Sequence, residues 1–147
     1  MQPGRFTELF FLDEATALAA GHRPCALCRR EDYVSFSEVW RRTHDEPVGA
    51  DAIDAQLHGE RVARLTRGRL LHRAQLEDLP DGTFVVDSDA AWLVLGPKLL
   101  RWTPAGYSER RTRNSREVAL LTPPSIVEVL RTRWAPVVPF LHPTALA

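Results

Sequence analysis

The stretch Thr83-Phe84-Val85-Val86-Asp87-Ser88-Asp89-Ala90-Ala91-Trp92-Leu93-Val94-Leu95-Gly96-Pro97-Lys98-Leu99-Leu100-Arg101-Trp102-Thr103 holds three apolar runs and two breaks. Thr83–Val86, Ala91–Leu95 and Leu99–Thr103 carry the branched and aromatic side chains that suit a pleated surface. Ser88-Asp89 and Gly96-Pro97 are turn residues. Short runs with this punctuation predict an antiparallel meander. Leu79-Pro80-Asp81-Gly82 is a turn signal just ahead of it, and Glu117–Leu121 is a further candidate strand.

The texture changes upstream of residue 80. Asp13 is a candidate N-cap for a helix through the strong helix formers of Glu14–Ala20, and Gly21 stands where a glycine ends a helix. Pro24 then falls in the first turn of a second helix, with Tyr33, Phe36 and Trp40 on one face and an end near Arg42–Asp45, before Pro47. A third helix is expected from Asp51 to Leu65, with Ile53, Leu57 and Leu65 as its apolar stripe. Residues 70–79 fit no single pattern. Near the C-terminus Ser125 and Glu128 have capping-box spacing, and Val127, Leu130 and Trp134 continue a short helix face. The tail from Val137 is proline-punctuated and reads as irregular. The fold class is therefore α+β: a helical half of about three helices, then a small antiparallel sheet and one helix. The division falls between 1–79 and 80–147, as two units or as one domain with a shared core.

Composition narrows the function classes. The chain has 147 residues, 19 basic and 19 acidic. A neutral chain is no generic polyanion binder, because that affinity comes from neutralising phosphates. Two cysteines cannot build the disulfide framework of a small secreted domain. No run approaches the roughly 20 apolar residues of a membrane helix, so no membrane partner is expected. Met1-Gln2-Pro3-Gly4-Arg5 lacks the layout of a signal peptide, and the expected location is the cytoplasm.

Both cysteines fall in Gly21-His22-Arg23-Pro24-Cys25-Ala26-Leu27-Cys28-Arg29-Arg30. The C-x-x-C interval lets two sulfurs turn toward one tetrahedral zinc, and His22 precedes Cys25 at the same interval. A position near a helix N-terminus, with Arg23, Arg29 and Arg30 close by, would favour thiolate over thiol. A metal needs a further ligand, for which His44 and His58 are candidates, with His72 or a carboxylate behind them. The same two residues also read as plain reduced thiols, or as a redox pair outside any thioredoxin-like β-α-β pattern.

Phe10-Phe11, the alanine-rich Glu14–Ala20 and the ending Gly-His-Arg-Pro-Cys-Ala-Leu-Cys follow one another in a familiar order. The segment Phe10–Arg30 resembles the second half of the zinc-binding domain of the Ada-type DNA methyl-phosphotriester repair proteins. The resemblance implies zinc bound by Cys25 and Cys28. It stops short of methyl transfer: the family uses four cysteines, and the pair that includes the methyl acceptor would fall at or before Met1. The expected function is a non-enzymatic binding or structural module with a degenerate Ada-like metal segment, associated with nucleic acid through local arginine clusters. One alternative is a zinc-dependent hydrolase or deaminase-like enzyme on the C-x-x-C site. Another is a remnant of a methyl-acceptor repair protein, with either a lost metal site or a start upstream of Met1.

Two further patterns bear on these readings. Zinc deaminases combine H-x-E with P-C-x-x-C. Here Pro24–Cys28 precedes His58-Gly59-Glu60, the reverse order, and the pair also reads as the polar face of the third helix. Of the 19 basic residues 18 are Arg, Lys98 being the one lysine. Arg110, Arg111, Arg113 and Arg116 surround a Gly106-Tyr107 turn near Trp102, and basic side chains interleaved with aromatics suit nucleic acid. With Arg23, Arg29 and Arg30 they form the candidate nucleic-acid contacts. A solvated face paired with Glu109 and Glu117 is the competing reading.

Overall fold

The computed structural model describes residues 13–24, 27, 29–44, 49–65, 72–87, 90–132, 141 and 143–145. The architecture is α+β, with helices α1 (Glu14–Ala19), α2 (Arg30–His44) and α3 (Ala50–Leu65) ahead of a six-stranded antiparallel sheet. The strands are β1 (Arg73–Gln75), β2 (Phe84–Asp87), β3 (Ala90–Leu95), β4 (Lys98–Thr103), β5 (Gly106–Thr112) and β6 (Glu117–Leu120). Helix α4 (Pro124–Arg131) follows the sheet.

The three apolar runs are β2, β3 and β4, paired in sequence with Phe84 opposite Leu93 and Val94 opposite Leu99. Strand β5 continues the meander, with Leu100 opposite Arg110. Strand β6 then returns to the free side of β2 and carries β1 outside it, giving the order β1-β6-β2-β3-β4-β5. Because alternate strand residues point to opposite faces, the runs feed two cores. Phe84, Leu93 and Leu100 pack with Ala15 and Leu18 of α1, Phe36 and Trp40 of α2, Ile53 and Leu57 of α3, and Ile126 and Leu130 of α4. Val85, Trp92, Val94 and Leu99 face the other way, against Leu76 and Leu79 from the β1–β2 connection and Val127 of α4. The helical core thus joins side chains from both sides of residue 80.

The expected Glu14–Ala20 helix is present as α1. Asp13 caps it, accepting from the Thr16 backbone N–H at 2.9 Å. At its end Gly21 adopts φ +84°, a conformation open to glycine. The Gly21 N–H donates to the Leu18 carbonyl at 2.9 Å and the His22 N–H to the Ala17 carbonyl at 3.0 Å, the crossed pair of a Schellman closure.

Several expectations are corrected. Helix α2 begins at Arg30, so Pro24 is not in its first turn. The start falls where Glu31 and Asp32 supply negative charge to the first-turn amides. Ser125 and Glu128 make no capping box: α4 opens after Pro123 with no side-chain cap of its own, Pro124 taking the first helical position. Gly106-Tyr107 is no turn. It starts β5, and the reversal is made by Pro104-Ala105. Residues 70–79 resolve from residue 72 onward into β1 and a 3₁₀ turn at Leu76–Asp78. The proposed stripe residue Leu65 and the helix-face residue Trp134 lie outside the described side chains.

The outer edge of β5 is covered in part by Thr144. The Tyr107 N–H donates to Thr144 Oγ1 at 2.8 Å and the Arg110 guanidinium donates to the Thr144 carbonyl. Covering an edge this way removes part of a template for strand pairing.

Candidate functional site

The segment expected to carry chemistry sits between α1 and α2. Cys25 and Cys28 themselves lie outside the described residues, but the approach to them is described. The Schellman closure fixes the direction in which Gly21 and His22 leave α1. Arg23 then ties this lead-in to α3. Its Nε stands 3.0 Å from Asp54 Oδ1, an ion-pair contact without hydrogen-bond alignment, and its Nη2 donates to Asp54 Oδ2 at 3.1 Å. Nη1 donates to the Pro24 carbonyl at 2.9 Å, and the guanidinium lies 5.2 Å from the Tyr33 ring centroid, in cation–π range. Pro24 is buried, whereas Leu27, between the cysteines, is 90% exposed. The chain dips into the protein at Pro24 and is back at the surface by Leu27. Arg29 pairs with Asp32 at 2.7 Å, and its carbonyl accepts from the Tyr33 N–H at 2.9 Å as α2 begins.

The histidines fall in different places. The His22 side chain is half-buried in the lead-in. His44 closes the far end of the 15-residue α2, about 20 Å along the axis from Arg30. Its ring stacks on Trp40 at 4.3 Å between centroids, and Nδ1 lies 3.0 Å from the Trp40 carbonyl and 2.9 Å from Thr43 Oγ1. His58 is exposed on α3, four residues beyond Asp54 and so on the face that carries the Arg23 ion pair. His72 Nε2 lies 3.2 Å from the Glu60 carbonyl oxygen. Among the described residues no three His, Cys, Asp or Glu side chains converge as a metal would require.

Glu60, the carboxylate of the H-x-E pattern, is turned to α4. Its Oε1 accepts from the Ser125 N–H at 2.8 Å, and its Oε2 accepts from the Ser125 hydroxyl and from Gln56 at 2.9 Å. A carboxylate from α3 thus supplies the cap that α4 lacks.

The six arginines named for a nucleic-acid surface divide five to one. Arg23 and Arg29 are held as above, and Arg110 holds Thr144. The Arg111 guanidinium lies 4.5 Å from the Trp92 ring centroid and 3.6 Å from Glu109. Arg113 donates to the carbonyls of Leu79 at 2.9 Å and Glu77 at 3.1 Å, strapping the 3₁₀ turn and the residue after it to the sheet. Arg30 is exposed. Outside the six, Arg116 pairs with Asp87 and Arg73 with Glu117.

One constellation was not singled out from sequence. The Tyr107 hydroxyl donates to Asp13 Oδ2 at 2.7 Å, while Asp13 Oδ1 accepts from both the N–H and the hydroxyl of Thr16. Burial, reinforced by the Asp13 hydrogen bond and charge, holds the Tyr107 phenol well above its ordinary range, with a smaller opposing contribution from Thr16. A signal existed in Asp13, recognisable as a cap, but nothing in the chain order joins it to Tyr107.

No family model matches the chain, and no curated protein or solved structure is detectably similar to it. Among the described residues no helix is long and apolar enough to cross a membrane.

Proposed function

We propose that the protein is a non-enzymatic binding module whose segment from His22 to Cys28 holds a zinc ion through Cys25 and Cys28. The donor chemistry supports this: two thiolates and imidazole nitrogen suit the tetrahedral, borderline-soft preference of zinc. His22 and His58 are the imidazole donors assigned to it. The carrying observation is the Arg23 clamp. It fastens the residues just before Cys25 to the face of α3 that also bears His58. His44, at the far end of α2 and stacked on Trp40, is left out of the set. When bound, zinc would cross-link the α1–α2 connection to α3 and supply folding free energy. Thiolate ligands call for a reducing compartment, in keeping with a cytoplasmic protein.

Elemental analysis of protein purified without added metal tests this reading. About one zinc per chain is expected, with near-complete loss in Cys25→Ser and Cys28→Ser. His58→Ala weakens retention against a chelator and His44→Ala leaves it unchanged. The reading fails if wild-type protein holds less than about 0.1 zinc per chain and takes up none when zinc is supplied.

A further inference from the structure

Between α1 and the sheet lies a partly open cavity of about 190 Å³, lined among the described residues by Thr16, Ala19, Phe84, Ala91, Trp102 and Leu121. Two of its wall positions carry alanine. Ala19 comes from α1 and Ala91 from the helix-facing side of β3. Its surface is apolar. The Thr16 hydroxyl is turned to Asp13 Oδ1 at 2.8 Å. The indole N–H of Trp102 is buried and has no acceptor among the described residues.

The pocket is partly open, so water can enter it, but its described walls offer fewer than the two to four polar partners that hold a water in place, and an apolar guest can displace it. An enclosed apolar cavity of about 150 Å³ in another protein accepts benzene, so the volume of this pocket admits a single aromatic ring. Charged or strongly hydrated molecules are disfavoured, since burying them without partners costs several kcal/mol. The strands supplying Phe84, Ala91 and Trp102 are hydrogen-bonded to one another in series, so that wall is preformed.

We propose that this cavity is a binding site for one small, uncharged, apolar molecule of single-ring aromatic size. It is argued independently of the zinc reading, since none of its described walls belongs to the segment from His22 to Cys28.

Titration with benzene, followed by NMR of the Trp102 indole N–H and the Leu121 methyl groups, tests it. Benzoate serves as a charged probe of similar shape. Saturable shifts are expected with benzene and none at these positions with benzoate. Ala91→Leu fills the cavity and should weaken benzene binding at least tenfold. Ala19→Leu provides the same test from the α1 side should the first variant fail to fold. The proposal is overturned if benzene gives no saturable shift, if benzoate binds equally well, or if a folded cavity-filling variant binds benzene as tightly as the wild type.

Discussion

Replacing Tyr107 by phenylalanine removes one hydroxyl and leaves the ring, which stacks on Phe84 with centroids 6.4 Å apart. The hydroxyl donates to the Asp13 carboxylate at 2.7 Å, and Tyr107 is 5% exposed. A hydrogen bond to a charged partner contributes about 1.5–3 kcal/mol. The loss should lie near 2 kcal/mol at neutral pH, since Asp13 retains its two bonds from Thr16. The pH dependence is more diagnostic. In the unfolded chain the phenol ionises near pH 10. In the folded chain, burial and Asp13 keep it protonated to higher pH. Above about pH 10 the unfolded state therefore binds fewer protons than the native state, and stability falls by about 1.4 kcal/mol per pH unit. The Tyr107→Phe protein lacks this term. The other tyrosine, Tyr33, is present in both proteins and cancels. Urea unfolding of the pair from neutral pH to about pH 11 should show a wild-type advantage that is constant below about pH 9, then shrinks to under about 1 kcal/mol. An advantage that stays level through about pH 11 would refute the argument, because it would mean that the folded phenol ionises as readily as the unfolded one.

Glu60→Ala should cost about 1–2 kcal/mol by leaving the Ser125 N–H and hydroxyl without their acceptor, and hydrogen exchange should show α4 fraying from its N-terminal turn. Arg113→Lys should cost about 1–2 kcal/mol, because one ammonium cannot span the two carbonyls that the guanidinium fork holds; faster amide exchange at residues 76–79 would report the released strap.

The fold was most legible where local chemistry and tertiary demand coincide. Phe84–Val86, Ala91–Leu95 and Leu99–Thr103 are apolar enough to form strands and are used as strands. Asp13 and Gly21 are local end signals, and each acts within four residues of itself. Strand β5 was illegible because Tyr107 is its one large apolar side chain. Its burial does not alternate: Gly106 and Tyr107 are buried, the residues after them are mostly exposed, and arginine stands where strand hydrophobes are expected. Arg111 covers Trp92 on one face, and Arg110 reaches Thr144 from the other. The α4 cap was illegible for another reason. Ser125 and Glu128 stand at a recognised spacing, yet the acceptor comes from Glu60, 65 residues away, and sequence spacing carries no information about it.

The same substitution of arginine for apolar surface changes what the composition means. Eighteen arginines against one lysine look like a supply of phosphate contacts when counted along the chain. In the fold, several guanidiniums each meet more than one acceptor, or an acceptor and an aromatic face, at once. Arg23 meets Asp54, the Pro24 carbonyl and Tyr33; Arg113 meets two carbonyls; Arg111 meets Trp92 and Glu109. Lysine offers a point charge and would satisfy fewer of these demands at once. Arginines held in this way have already spent donors and conformational freedom on the fold. Arg23 is the instructive case, because it stands two residues from Cys25. Its charge was read from sequence as a means of stabilising thiolate or gripping phosphate, yet its guanidinium is neutralised by Asp54. What it provides is position: it joins the residues that follow α1 to α3.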